Sequence, residues 1–94
     1  MPNPAITIEG TVTGISDLFE KGSFRKRELY VRTDDKYPID VAIEFTNENE
    51  SKLDFVETGE KVKVNCNLRG RKWVNDMGVE KYFLSLQSWK MEKL

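Results

Sequence analysis

Two short runs in this chain set cations beside aromatic rings. In FRKRELYVRT, residues 24–33, Arg25, Lys26 and Arg27 stand in succession between Phe24 and Tyr30, with Arg32 beyond. In KVKVNCNLRGRKW, residues 61–73, Lys63, Arg69, Arg71 and Lys72 lead up to Trp73. Guanidinium and ammonium groups hold phosphate oxygens, and aromatic faces accept stacked bases. The combination suits single-stranded nucleic acid, where each stacked base is worth about 1–3 kcal/mol. Other chemistry lacks its parts. With no histidine and one cysteine, Cys66, the chain cannot assemble the usual triads, dyads or zinc sites. Carboxylates such as Asp34, Asp35 and Asp40 leave magnesium-assisted hydrolysis as a distant option, but no spacing singles them out. We expect no catalytic residue, metal or cofactor.

A run of cations has a plainer reading as a solvated strand edge that discourages aggregation. The charge distribution argues against it. The formal net charge of -1 conceals two basic segments and one acidic one. Lys21 to Arg32 holds five cations and one anion, Glu28; Lys61 to Trp73 holds five cations and no anion. Glu44 to Glu60 holds six anions against Lys52 alone. Such asymmetry speaks of partners more than the total does.

The elements that must position these residues follow from periodicity. ITIEGTVTGI is a β-branched strand with Gly10 and Gly14 inside it, a sign of bends or bulges. SDLFEKGS breaks the alternation and reads as a loop. FRKRELYVRT alternates, with Leu29 and Val31 inward and Phe24, Lys26, Glu28, Tyr30 and Arg32 outward. Arg25 and Arg27 share the inward parity, and reach a ligand only if the strand end bulges or overhangs. After the turn DDK, Ile39, Val41, Ile43 and Phe45 mark a strand that closes an antiparallel hairpin. There Asp40 and Glu44 face outward and can pair with Lys26 or Arg32.

TNENESKLDFVETG changes rhythm to a short helix of two to three turns. Thr46 or Asn47 is placed to cap it, Gly59 to end it, and its acidic face to meet solvent. KVKVNCNL turns Val62, Val64, Cys66 and Leu68 inward. RGRKW approaches a loop, VNDMG, and VEKYFLSLQSWKME is the last strand. On that strand Phe83 and Trp89 share a parity, read as core packing or an oligomer contact with Met91 and Leu94 nearby.

Five strands with one short helix between the third and fourth give an all-β, five-stranded OB-fold Greek-key barrel, one domain over residues 1–94. Its ligand surface is the outer face of strands two and three, flanked by the first-to-second and fourth-to-fifth strand loops. Both basic runs fall beside it. Lys26, Arg32, Lys63, Arg69, Arg71 and Lys72 are expected to hold phosphates, and Phe24, Tyr30 and Trp73 to stack bases. The alternative is a protein-interaction or oligomerisation module using a free strand edge or the Phe83/Trp89 face. One cysteine, no long apolar run and no leader point to a cytoplasmic chain without a membrane partner.

FRKRELYVRT, YPIDVAIEF, GEKVKVNCNLRGRKW and KYFLSLQSWKME occur in this order over residues 6–91. In that respect the chain resembles a family of small bacterial and phage-associated OB-fold domains of unassigned function, likened to single-stranded-DNA-binding proteins. The resemblance implies an OB-fold and a single-stranded DNA partner, with RNA as the other candidate. Phe24, Arg25, Lys26 and Arg27 match the family's basic second strand, and Arg71 with Trp73 its charged-aromatic approach to the last loop.

Overall fold

Alternation becomes strand wherever the sequence carries it. In the computed structural model, which describes residues 4–94, the order is β1 (Ala5–Ile15), β2 (Phe19–Lys21), β3 (Phe24–Thr33), β4 (Asp40–Thr46), a 3-10 helix (Asn47–Phe55), β5 (Lys61–Val74) and β6 (Glu80–Lys93). Five long strands close a ring. β1 pairs with β5 and β3, β3 with β4, β4 with β6, and β6 with β5. All these pairings are antiparallel except β4 with β6. This is the OB-fold arrangement expected.

The inward parity supplies the core: Val12, Leu29, Val31, Ile43, Phe45, Val62, Val64 and Cys66 are sealed from solvent. Full burial of each aliphatic or aromatic side chain is worth about 1.5–3 kcal/mol. Cys66 is a small core residue, fully buried, and burial pushes its thiol up to about 11. Ile39 departs from the parity. It precedes β4, is exposed, and is tied through its backbone to Thr33.

β1 closes the barrel by serving two partners. Residues 5–11 pair with β5 and residues 10–15 with β3, so Gly10 lies between Val62 and Thr33. A Cβ at Gly10 would collide with the Arg32 carbonyl oxygen and stand 2.8 Å from Val31 Cγ1. Two bulges complete the curvature, one in β1 between Val12 and Gly14 and one in β6 at Trp89. Bulges bend a strand and sharpen its twist, which a small barrel requires. At the second, the buried Ser88 hydroxyl lies 3.0 Å from the Asn65 carbonyl and accepts the Lys90 N–H at 3.2 Å.

Four local expectations change. SDLFEKGS contains the short strand β2, which folds back on the start of β3 across Gly22 (φ 61). Three residue pairs there are enough because Gly tolerates the left-handed turn. The helix is of 3-10 type, and the Thr46 side chain makes no cap. Instead the Asn47 side-chain oxygen accepts the Arg25 backbone N–H at 3.2 Å. Gly59 does not end the helix, since Val56 is already extended. It turns the chain so that its N–H bonds to the Val12 carbonyl at 2.8 Å.

The fourth change concerns the fourth-to-fifth strand loop. β5 and β6 remain paired from Val62 with Lys93 to Val74 with Glu80. RGRKW is therefore strand, and the distal half of this hairpin is an arm projecting past the barrel. The radius of gyration, 14.6 Å, exceeds the roughly 12 Å of a compact chain of this length, as a projecting arm requires. No helix among the described residues is long and apolar enough to cross a membrane.

Candidate nucleic-acid interface

Register places the outward residues of neighbouring strands side by side. At one border of the sheet, β2 and β3 set Phe19 opposite Lys26 and Lys21 opposite Phe24 on a common face. Phe19 and Phe24 meet edge to face, ring centroids 6.4 Å apart, and the Lys26 ammonium lies 5.9 Å from the Phe19 ring centre. The result is an exposed aromatic pair with a cation against it. Further along β3, Tyr30 stands outward opposite Gly14, where a Cβ would come within 3.3 Å of the Tyr30 ring. A bare glycine there leaves room for the ring to lie along β1.

The other border is the arm. Its strands put Arg69 opposite Ser85, Arg71 opposite Phe83, and Trp73 opposite Lys81. All six share the face that continues the outward side of the barrel. Arg69, Arg71, Trp73, Lys81 and Phe83 are exposed, and the described ion pairs leave all three cations uncommitted. A groove of about 630 Å³ lies against Arg69, Arg71 and Phe83 at the base of the arm, bounded also by Glu44, Gly70, Leu84, Ser85 and Gln87. From β2 through β3, β4 and β6 to β5 is four strand spacings, or roughly 19 Å. Cations and rings occupy both ends of that span.

Several residues expected at the interface stand elsewhere. Arg27 points to the barrel end beneath the 3-10 helix, its side chain only 16% exposed. Its Nε lies 2.6 Å from Glu50 Oε1, and its Nη2 bonds to Asp54 Oδ1 at 2.6 Å and to the Glu50 carbonyl at 3.1 Å. The Nε–H is not aligned on an acceptor, so its charge is compensated while its hydrogen bond is poor. Arg25 reaches towards the same Glu50, 3.9 Å away. The acidic helix is therefore not wholly a solvated face: Glu50 is buried against Arg27, with Arg25 at longer range.

Lys72 lies on the reverse of the arm and pairs with Glu80 at 3.4 Å. Lys63 sits on the far side of the barrel between Glu9 of β1 and Glu92 of β6. Arg32 is on the expected face, paired with Asp40 directly across the hairpin at 3.5 Å. Phe24, Lys26, Tyr30, Arg69, Arg71 and Trp73 share the outward surface.

Phe19, Lys81 and Phe83 join that surface, though none stands among the residues expected to hold phosphates or stack bases. Phe19 lay in a segment read as loop. Phe83 was grouped with Trp89, but the bulge separates them, and neither enters the core. Counting outward from VNDMG sets Val79 opposite Trp73; only a turn shifted by one residue, NDMGV between Val74 and Glu80, sets Lys81 opposite Trp73 and Phe83 opposite Arg71.

A closed five-stranded ring with one helix at its end and an extended β5–β6 arm defines an OB-fold protein. The chain belongs to the family described as domain of unknown function DUF3127, which matches residues 7–92. Among solved structures, the chain is similar to the mitochondrial single-stranded DNA binding protein Rim1 of S. cerevisiae. The TM-score is 0.76 at 19% identity, over 100% of this chain and 97% of that one. It is also similar to the second single-stranded DNA binding protein, SSBb, of Mycobacterium smegmatis. There the TM-score is 0.72 at 11% identity, over 97% of this chain and 88% of that one. No curated protein matches the chain in sequence.

Proposed function

We propose that this chain binds single-stranded nucleic acid, DNA before RNA, on the outer face of β2, β3, β4 and the β5–β6 arm, without catalysing a reaction on it. The observation that carries this reading is the arm, where Arg71 faces Phe83 and Lys81 faces Trp73 on one exposed side. Alternating cations and rings on one side of a ribbon serve phosphates and bases in turn. Lys26, Arg69, Arg71 and Lys81 hold phosphates, and Phe19, Phe24, Tyr30, Trp73 and Phe83 offer stacking faces. The two structural neighbours described above are single-stranded DNA binding proteins, which supports the same ligand class. A single, buried cysteine suits a reducing compartment, the cytoplasm.

Titration of a fluorescent oligonucleotide tests the proposal. Binding is expected to weaken with salt at a logarithmic slope of about -0.7 per phosphate contact, roughly -3 for four contacts. Trp73→Ala is expected to cost about 1–3 kcal/mol of binding while leaving the melting temperature nearly unchanged, because the ring is exposed. No binding at low salt, or binding indifferent to salt, would overturn the proposal.

The reverse of the arm favours a second property, self-association. Val74, Tyr82 and Leu84 are exposed there, Leu84 at 77%, as a continuation of the core parity beyond the barrel. A two-stranded ribbon is marginally stable alone and gains from cover on an apolar face. Light scattering should give a mass above the monomer that Leu84→Lys reduces; a monomer at all concentrations excludes this second reading.

A further inference from the structure

The middle of the proposed interface is built differently from its ends. Glu28 of β3 stands directly opposite Glu44 of β4. Glu44 neighbours Gln87 of β6, whose Nε2 donates to Glu44 Oε1 at 3.4 Å, and Gln87 stands opposite Asn67 of β5. These four outward side chains form one rung across the sheet, each half-buried, two carboxylates followed by two carboxamides. Among the described residues neither carboxylate has a cationic partner. Lys26 lies one outward position away on β3, against the Phe19 ring.

Two like charges set opposite each other across a hairpin destabilise it. The backbone beneath them is nonetheless firmly placed. The Glu28 N–H donates to Ser16 Oγ at 2.8 Å, and its carbonyl accepts the Ser16 N–H at 2.9 Å. A rung of this composition repels phosphate, which the cations at the ends of the face attract. Its chemistry matches base edges. Carboxylates accept from the exocyclic amino group of cytosine, and Asn and Gln pair with adenine.

We infer that this rung is a specificity element: a nucleotide crossing the middle of the sheet lies base-down, and Glu28 and Glu44 favour bases carrying an exocyclic amino group over thymine or uracil. At position four a pyrimidine presents either an amino donor or a carbonyl oxygen. A carboxylate accepts from the first and repels the second. Phosphates then run towards Lys26 on one side and Arg69 and Arg71 on the other. This inference rests on the proposed single-strand binding.

The test compares two oligomers of about 12 nucleotides, oligo-dC and oligo-dU, at mildly alkaline pH, where both are single-stranded. They have similar stacking faces and identical backbones and differ along the pairing edge: cytosine offers the position-four amino group, whereas uracil offers an N3–H set between two carbonyl oxygens that a carboxylate repels. The wild-type protein should bind oligo-dC roughly tenfold more tightly, the scale of a hydrogen bond to a charged group. Glu28→Gln with Glu44→Gln should tighten both complexes and bring their ratio close to one. Equal wild-type affinities, or a preference for oligo-dU, overturn the inference while leaving single-strand binding intact. So does a double variant that tightens both complexes by the same factor, since the carboxylates would then merely repel. Absence of binding to either oligomer overturns the parent reading and this one with it. Should the double variant not fold, the wild-type ratio and Gln87→Leu, which removes the hydrogen bond orienting Glu44 and should narrow that ratio, still decide the matter.

Discussion

Glu50→Ala is expected to lower the unfolding free energy by about 3 kcal/mol, although Glu50 belongs to a segment whose composition reads as a solvated acidic face. The carboxylate sits 2.6 Å from Arg27 Nε at the covered end of the barrel, with Arg25 3.9 Å away. Without it, Arg27 retains Asp54 and the Glu50 carbonyl but loses its buried counter-charge. Removing one member of a buried pair costs more than the pair itself contributes, because the survivor stays desolvated. The contact also anchors the 3-10 helix, whose Leu53, followed by Val56, closes the core. Asp54→Ala is the control. Its side chain is 60% exposed, so its loss should cost less than about 1 kcal/mol. Urea unfolding of the three proteins measures both effects. Glu50→Ala unfolding within 1 kcal/mol of the wild type, by that same roughly-1-kcal/mol yardstick, would show the pair to be incidental.

The second large effect belongs to Gly10. Gly10→Ala should destabilise the fold by about 3 kcal/mol, towards the upper end for overpacking, and lower the melting temperature by at least about 12 °C. The added methyl meets backbone, the Arg32 carbonyl, which cannot swing aside as a side chain can. Relief would require β1 to part from β3 at the one point where β1 changes partners. Gly22→Ala separates steric crowding from conformational freedom. No heavy atom approaches a Cβ at Gly22, and only its positive φ resists substitution, so about 1 kcal/mol is expected there. Equal effects at the two glycines would contradict this account.

Both cases bear on how FRKREL is read. Alternation placed Leu29 and Val31 inward and Lys26, Tyr30 and Arg32 outward, and that is where they are. The same alternation left Arg25 and Arg27 on the core parity with no visible counter-charge. Their partner, Glu50, lies 23 residues beyond Arg27 and reaches it only because the helix folds over that end of the barrel. A run of three cations is thus two kinds of residue. Lys26 faces the candidate interface, and the arginines on either side hold the lid of the core.

The RGRKW segment divides in the same way. Its cations and ring were legible as a basic-aromatic cluster, but not that they stand in a strand whose two faces differ. Pairing with β6 sends Arg69, Arg71 and Trp73 to one side and Lys72 to the other, against Glu80. Lys63 obeys its expected parity yet lies on the far side of the barrel, because β5 is long enough to travel from one side to the other. Phe83 and Trp89 were legible as a matched pair until the bulge at Trp89 broke their register.

The period of two, the glycine-marked bends, the change of rhythm before β5 and the order of elements together determined the OB barrel, its core and the basic-aromatic composition of one surface. These are local properties: a strand's alternation depends only on neighbours along the chain, and burial follows from it. What only the tertiary structure decided is which side chains meet across strands. The Arg27–Glu50 contact, the facing of Arg71 by Phe83 and the rung from Glu28 to Asn67 all depend on register, bulges and ring closure. Shifting any strand by one residue would exchange its two faces. That register is set by the packing of the whole barrel, which no single segment encodes.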